Sequence, residues 1–186
     1  MYNAQALEKI VASYIVKYRP YARKEDRHYE RLNSLNEAIS QAALCKDPRG
    51  KRHPHQYRIP LASLEEARQI LLDLLLENCR NFEELHQTVE KAILHIHMVG
   101  PLTVYDISQR IGVYLGLKPN CVYLHSGTAE GARALGLTSV NGVLAVEALP
   151  LQFRSLSPDE IEDCLCIYKR ELAAAFMKLK KHKKSL

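Results

Sequence analysis

A short turn between two apolar helical patterns constrains this 186-residue chain more than any other feature. Before the turn, apolar residues recur at helical spacing over residues 85–96, and after it they recur over residues 104–115. Gly100 and Pro101 stand between the two patterns, and proline is favoured in the first turn of a helix. The stretch from residue 95 to residue 106 therefore predicts two consecutive helices joined by a tight connection.

Helical periodicity recurs along most of the remaining chain. Ser63, Asn81 and Ser157 each precede a glutamate by three residues, a spacing typical of a capping box at a helix start. Gly116 is placed to end a helix in the left-handed conformation. The predicted helices span about residues 2–18, 22–44, 63–75, 81–96, 102–115, 128–135 and 157–180. We therefore expect a mostly α fold, an orthogonal helical bundle with little or no β structure, in which residues 138–153 are irregular or partly extended.

The chain length suits one domain, so residues 1–186 are predicted to form a single helical domain. Its parts are an N-terminal helical pair (1–45), a basic loop (46–60), a helical core (61–180) with the hairpin turn near residues 97–103, and a basic tail (181–186). Two prolines and a glycine exclude regular structure from residues 46–58 of the basic loop.

Composition limits the classes of function. A net charge of +5 permits binding to a polyanion without requiring it. The five cysteines are odd in number and scattered, which favours reduced thiols and a cytoplasmic location. Neither a signal peptide nor a membrane-spanning segment is recognisable, so we expect no membrane partner. Two His-X-His pairs, at residues 53–55 and 95–97, lack a further nearby ligand and predict no metal site, and nothing predicts a cofactor.

The turn itself, Met98-Val99-Gly100-Pro101-Leu102-Thr103, resembles the helix-hairpin-helix family at Val99, Gly100 and Thr103. The resemblance implies a module whose second helix offers its N-terminal N–H groups to a nucleic-acid phosphate. Met98 departs from the family where its first glycine stands. In the family's bifunctional glycosylases a catalytic lysine stands where this chain has Leu102, so the resemblance implies binding without glycosylase chemistry.

A longer stretch is similar to an uncharacterised bacterial protein family. The similarity covers the segments 102–106, 110–112, 122–128 and 131–135, and it implies that the hairpin turn and a second glycine turn belong to one unit. That second turn is Ser126-Gly127-Thr128, where a helix N-terminus could hold a phosphate or carboxylate with help from Arg133. An ordinary N-capped helix, with Ser126 or Thr128 as the cap, is the alternative.

Three hypotheses remain open. The first is a nucleic-acid-binding domain, with DNA favoured over RNA, in which the hairpin turn, Arg110, Arg133 and the loop residues Arg49, Lys51 and Arg52 contact phosphates. The second is a small anionic-ligand binder or enzyme acting at the Ser126-Gly127-Thr128 turn. The third is a structural or protein-interaction domain in which both turns are only connections. A catalytic set could be assembled from Tyr105, Asp106, His125 and Ser126, but nothing in the sequence shows that they meet, so we expect no catalytic residues. The oligomeric state cannot be read from the sequence.

Overall fold

The computed structural model describes the backbone of residues 2–182 and the side chains of residues 2–175. Over these residues the protein is mostly helical, which confirms the expected fold class. The α-helices are α1 Ala4–Lys17, α2 Arg19–Tyr29, α3 Leu35–Ala43, α4 Leu61–Leu72, α5 Phe82–Ile93, α6 Pro101–Leu115, α7 Ser126–Ala134, α8 Pro158–Ile167 and α9 Lys169–His182. Short 3-10 helices lie at Pro54–Gln56, Leu76–Asn78, Val146–Ala148 and Leu151–Ser155. None of the described helices is long and apolar enough to cross a bilayer.

The chain divides into two compact units where the sequence suggests one domain. Unit 1 comprises residues 1–21 and 120–186, and unit 2 comprises residues 22–119. The division falls within α2 and directly after Pro119. The hairpin turn therefore belongs to unit 2 and the Ser126-Gly127-Thr128 turn to unit 1, contrary to the expectation that the two turns share a unit. The side chains of the predicted basic tail, residues 181–186, lie outside the described part of the chain.

Unit 2 is built on four helices, α3 to α6. Helix α6 packs against both α3 and α5, and α4 packs against α3 and α5. Ile107 and Ile111, one turn apart on α6, are fully buried and join Leu85 and Val89 of α5 in one apolar core. Gly116 ends α6 in the left-handed conformation (φ 71°), as its position after the apolar pattern predicts.

Unit 1 packs α1, α7, α8 and α9 around a second core. Two of its helices approach closely at Gly131 of α7, where a Cβ atom would overlap the carbonyl oxygen of Leu165 on α8. Glycine at this position lets the two helix backbones meet. A two-stranded antiparallel sheet completes the unit: in β1 (Val122–Tyr123) and β2 (Val143–Leu144), Val122 pairs with Leu144. This agrees with the expectation of little β structure.

The capping signals give mixed results. Asn81 accepts a hydrogen bond from the Glu84 amide at 2.9 Å, and Ser157 and Glu160 form a capping box, so both predicted helix starts are confirmed. Ser63 is wrong as a cap, because α4 begins at Leu61 after Pro60 and buries Ser63 within its first turn.

The predicted helices at 22–44 and 157–180 are each two helices in the structure. The first breaks over residues 30–34, where Ser34 caps α3 by accepting from the Glu37 amide at 3.2 Å. Asn33 donates its own amide to the Glu37 carboxylate, which completes a cap that the sequence analysis missed. The second predicted helix breaks at Tyr168.

Candidate nucleic-acid interface

The hairpin turn spans residues 94–100 between α5 and α6. Ile96 and Val99 are buried, and the Val99 amide donates to the Ile96 carbonyl at 3.0 Å, which closes the turn. Met98 takes the left-handed conformation (φ 62°) and its side chain is half exposed. This is the position where the helix-hairpin-helix family has a glycine, and glycine adopts that conformation without strain. The backbone of the turn therefore has the conformation that a glycine there would favour, although the residue is methionine.

Gly100 is the N-cap of α6 and leaves the start of the helix open. Its backbone is extended (φ −106°), and a Cβ atom placed on it would meet nothing within 4 Å. Glycine has no side chain with which to cap, so the first N–H groups of α6 receive no bond from the N-cap side chain. Together with the helix dipole, these groups favour an anion in front of the helix. Thr103, in the first turn of α6, is buried, so its side chain belongs to the interior of unit 2.

The basic loop is folded, and Asp47 organises it. The Asp47 carboxylate accepts hydrogen bonds from the amides of Arg49 (2.8 Å) and Lys51 (3.0 Å), and Gly50 completes the turn in the left-handed conformation. The Arg49 guanidinium also binds Asp47, and this contact, with the two amides, lowers the pKa of Asp47 to about 2. The side chains of Arg49 and Lys51 remain exposed, as a phosphate contact requires.

Two of the arginines that were predicted to contact phosphates form hydrogen bonds to other groups of unit 2. Arg110 is 5% exposed, and its Nε donates to Glu25 at 2.8 Å. Arg52 donates from Nη1 to the Ile59 carbonyl at 2.9 Å and is only partly exposed. The expectation that Arg110 contacts a surface phosphate is corrected by its burial, because a guanidinium paired with a carboxylate beneath the surface does not reach a nucleic-acid backbone. The bond from Arg52 to Ile59 connects the middle of the basic loop to the C-terminal end of the same loop.

Two histidines and a glutamine anchor the basic loop to the helices beneath it. His55 Nε2 and Gln56 Nε2 both bond to Asp106 Oδ2 on α6 at 2.9 Å, and His53 Nε2 lies 3.2 Å from Glu25 Oε1 on α2. Gln56 is almost fully buried. These anchors were missed from the sequence, because 50 residues separate Gln56 from Asp106 and no motif links them. They hold the loop beside α6, the helix that begins at the hairpin turn.

The groups below the loop form a mostly buried cluster of two carboxylates, one guanidinium, a phenol and a thiol: Glu25, Asp106, Arg110, Tyr29 and Cys45. Burial alone would raise the pKa of Glu25, but His53 and Arg110 outweigh it and lower that pKa to about 2. Burial raises the pKa of the Cys45 thiol to about 11 and that of Tyr29 above its ordinary value. Although burial disfavours the charged guanidinium, Asp106 and Glu25 keep the pKa of Arg110 above its ordinary value. Arg110 and Glu25 are therefore both charged at neutral pH.

The second predicted anion site, at the start of α7, is arranged differently from the expectation. His125 is the N-cap of α7, in place of Ser126 or Thr128. A Cβ on Gly127 would lie 2.5 Å from the Cys166 sulfur of α8, so the close approach that glycine permits is to α8. The buried Thr128 hydroxyl donates to the Glu162 carboxylate, and a carboxylate behind the turn repels an anion. Arg133 is exposed and bonds the Ala129 carbonyl of its own helix.

The residues of the possible catalytic set are divided between the units. Asp106 is in unit 2, where His55 and Gln56 bind its carboxylate, whereas His125 and Ser126 belong to unit 1.

Metal binding finds no support in the residues that the structure describes. Among them, no three His, Cys, Asp or Glu side chains are grouped closely enough to hold a metal ion. The paired imidazoles of the basic loop, His53 and His55, each face a different carboxylate. Comparison with protein-family models, with curated proteins and with solved structures gave no match to this chain.

Proposed function

We propose that unit 2 binds the phosphate backbone of nucleic acid, DNA in preference to RNA, without reading its sequence. The start of α6 at Gly100 would receive one phosphate, and the exposed cations of the basic loop would contact its neighbours. The observation that carries the proposal is the pair of hydrogen bonds from His55 and Gln56 to Asp106, because they hold the loop beside the hairpin helix.

The position of Asp106 on α6 brings the two elements close. Leu102 lies four residues before Asp106, so the two share a face of the helix one turn apart. Leu102 is partly exposed in the first turn, next to Gly100. The loop is therefore anchored one turn of helix, about 5 Å, from the residue that follows the start of α6.

The distribution of charge in unit 2 favours the loop as the contact surface. Residues 46–58 carry five Lys and Arg residues against one Asp, whereas the remainder of residues 22–119 has nine basic and twelve acidic residues. A polyanion would be repelled by most of this unit and attracted by the loop. We propose a cytoplasmic location for this activity, because none of the five cysteines forms a disulfide, which suits a reducing compartment.

Fluorescence anisotropy with labelled duplex and single-stranded DNA at several salt concentrations tests the proposal. We expect binding at low salt that weakens steeply as salt rises, because each phosphate contact releases counterions. A variant lacking three exposed loop cations, Arg49→Gln with Lys51→Gln and Arg58→Gln, should bind at least about tenfold more weakly and show a salt slope reduced by about 2 to 3.

The matched control removes the same charge from exposed positions of unit 1, in Lys9→Gln with Lys17→Gln and Arg154→Gln. It should retain most of the affinity and the salt slope of the parent protein. If the parent protein fails to bind either DNA at low salt, or if the control loses as much affinity as the loop variant, the proposal is wrong.

A further inference from the structure

The basic loop presents one aromatic ring to solvent among its cations. Tyr57 is 59% exposed, directly precedes the exposed Arg58, and follows the buried Gln56. Single exposed apolar side chains are common on protein surfaces, and Tyr21 in unit 1 is even more exposed. What distinguishes Tyr57 is its place, because it lies in the segment where the positive charge of unit 2 is concentrated.

The backbone of Tyr57 is fixed from both sides. Tyr57 ends the 3-10 helix Pro54–Gln56 and donates its amide to the Pro54 carbonyl at 3.4 Å. On one side Gln56 is anchored to Asp106. On the other, the buried Ile59 donates to the Gln56 carbonyl at 3.2 Å and accepts from Arg52. The ring is thus presented to solvent by a rigid support, and little conformational entropy would be lost when a partner stacks on it.

We propose that Tyr57 is a stacking platform for an unpaired base, so that the preferred ligand of unit 2 is a single strand. This inference rests on the proposed function, since the loop cations and the start of α6 would supply the phosphate contacts. Proteins that bind single strands combine a positively charged surface with aromatic rings on which bases stack. In a duplex the bases already stack on one another and leave no face for the ring, so duplex binding would use the phosphate contacts alone.

The experiment compares three labelled DNA probes of about 15 nucleotides, a length that spans a typical single-strand site. They are a single strand of normal bases, the same strand with abasic sites throughout its centre, and a duplex. We expect the parent protein to bind the normal strand most tightly. Tyr57→Ala should weaken that binding by about five- to a hundredfold and change binding to the abasic strand and the duplex by less than about twofold.

Two further variants give the test its controls. Tyr57→Phe keeps a ring for stacking and should bind the normal strand like the parent protein. Tyr21→Ala removes a still more exposed tyrosine from unit 1 and should have no effect. Circular dichroism of each variant checks that the fold is retained, which we expect because the Tyr57 ring is mostly in solvent.

The outcomes separate this inference from the proposed function. If Tyr57→Ala binds the normal strand as tightly as the parent protein while the loop-charge variant loses binding to every probe, stacking is wrong and backbone binding stands. Equal losses on the normal and abasic strands would also overturn stacking, because no base is present to stack at an abasic site. Failure of the parent protein to bind any probe at low salt would overturn both.

Discussion

Replacement of Arg110 tests whether the buried cluster holds the basic loop in place. Arg110→Met keeps much of the side-chain volume and removes the positive charge. Glu25 would then keep His53 as its partner but lose the guanidinium that bonds it at 2.8 Å. Breaking a buried ion pair by removing one partner usually costs about 3 to 5 kcal/mol, since the remaining charge is left without compensation. We expect a loss at the lower end of that range, because the Glu25 side chain is 26% exposed.

The pKa of Glu25, which His53 and Arg110 lower together, gives an upper limit for the contribution of Arg110 and the direction of the pH effect. A pKa lowered from 4.5 to about 2 on folding corresponds to about 3 kcal/mol of stability at neutral pH. Because the folded state has the lower pKa, this stability is fully present above about pH 4.5 and is lost as the pH falls toward 2. Removal of the guanidinium should raise the pKa of Glu25 toward its ordinary value and so flatten the acid limb of the stability curve.

Urea unfolding near pH 7 and near pH 3 would measure both effects in the parent protein, Arg110→Met, Glu25→Gln and the double variant. Hydrogen exchange in α6 peptides would show whether the loss falls in unit 2. Arg80→Met is the matched control, because Arg80 bonds Glu84 at the surface of the same unit, where solvent screens the pair, so this substitution should lower the free energy of unfolding much less. The reasoning is refuted if Arg110→Met lowers the free energy of unfolding as much in the Glu25→Gln background as in the parent protein. It is also refuted if this loss of stability is the same at both pH values.

Three further predictions concern a cap, a helix contact and the thiols. Gly100→Asp should leave the urea midpoint unchanged or slightly raised, because Asp is a good helix cap and a Cβ at this position meets nothing within 4 Å. It should nevertheless weaken DNA binding by about 1 kcal/mol, because its carboxylate repels the phosphate, whereas the uncharged cap in Gly100→Asn should not. Equal binding by both variants would argue against an anion at the start of α6. Gly131→Ala should destabilise unit 1 by about 1 to 3 kcal/mol in the same urea assay, because its Cβ overlaps a backbone carbonyl of α8; an unchanged midpoint would contradict that contact. Cys45 and Cys164, whose pKa values burial raises to about 11 and about 12, should react with a thiol reagent at neutral pH only after unfolding, which mass mapping of the labelled protein would check.

Local signals in the sequence were sufficient for most of the helices and for the hairpin. A cap such as Asn81 acts on the amide three residues later, and Gly116 ends the helix in which it stands, so each effect is contained in a short window. Prediction failed at residues 30–34, where Ser34 and Glu37 compete with a continuous helical pattern, and at Ser63, where Pro60 starts the helix earlier. In both places two valid local signals overlapped, and the sequence alone does not rank them.

The candidate interface was predictable only in its components. The five cations of the basic loop look alike in the sequence, but the structure gives them different roles: Arg52 holds the loop, whereas Arg49 and Lys51 face solvent. Gln56 meets Asp106 across 50 residues, and Arg110 meets Glu25 across 85, distances over which neither periodicity nor a motif carries information.

The anchoring of the loop affects how tightly its cations can bind phosphates. A mobile basic segment would lose conformational entropy each time it bound a phosphate, and it would bind in many different arrangements instead of one. Here the hydrogen bonds of His55 and Gln56 to Asp106 are present before any ligand binds, and the Asp47 turn fixes the backbone that carries Arg49 and Lys51. The buried cluster beneath the loop is therefore part of the proposed interface, although none of its residues would contact the ligand. Removing the bond between the loop and this cluster through Gln56→Ala, with every exposed cation retained, should then weaken DNA binding at constant charge and leave the salt slope unchanged. An unchanged affinity in that variant would show that charge alone governs binding and that the anchors serve only stability.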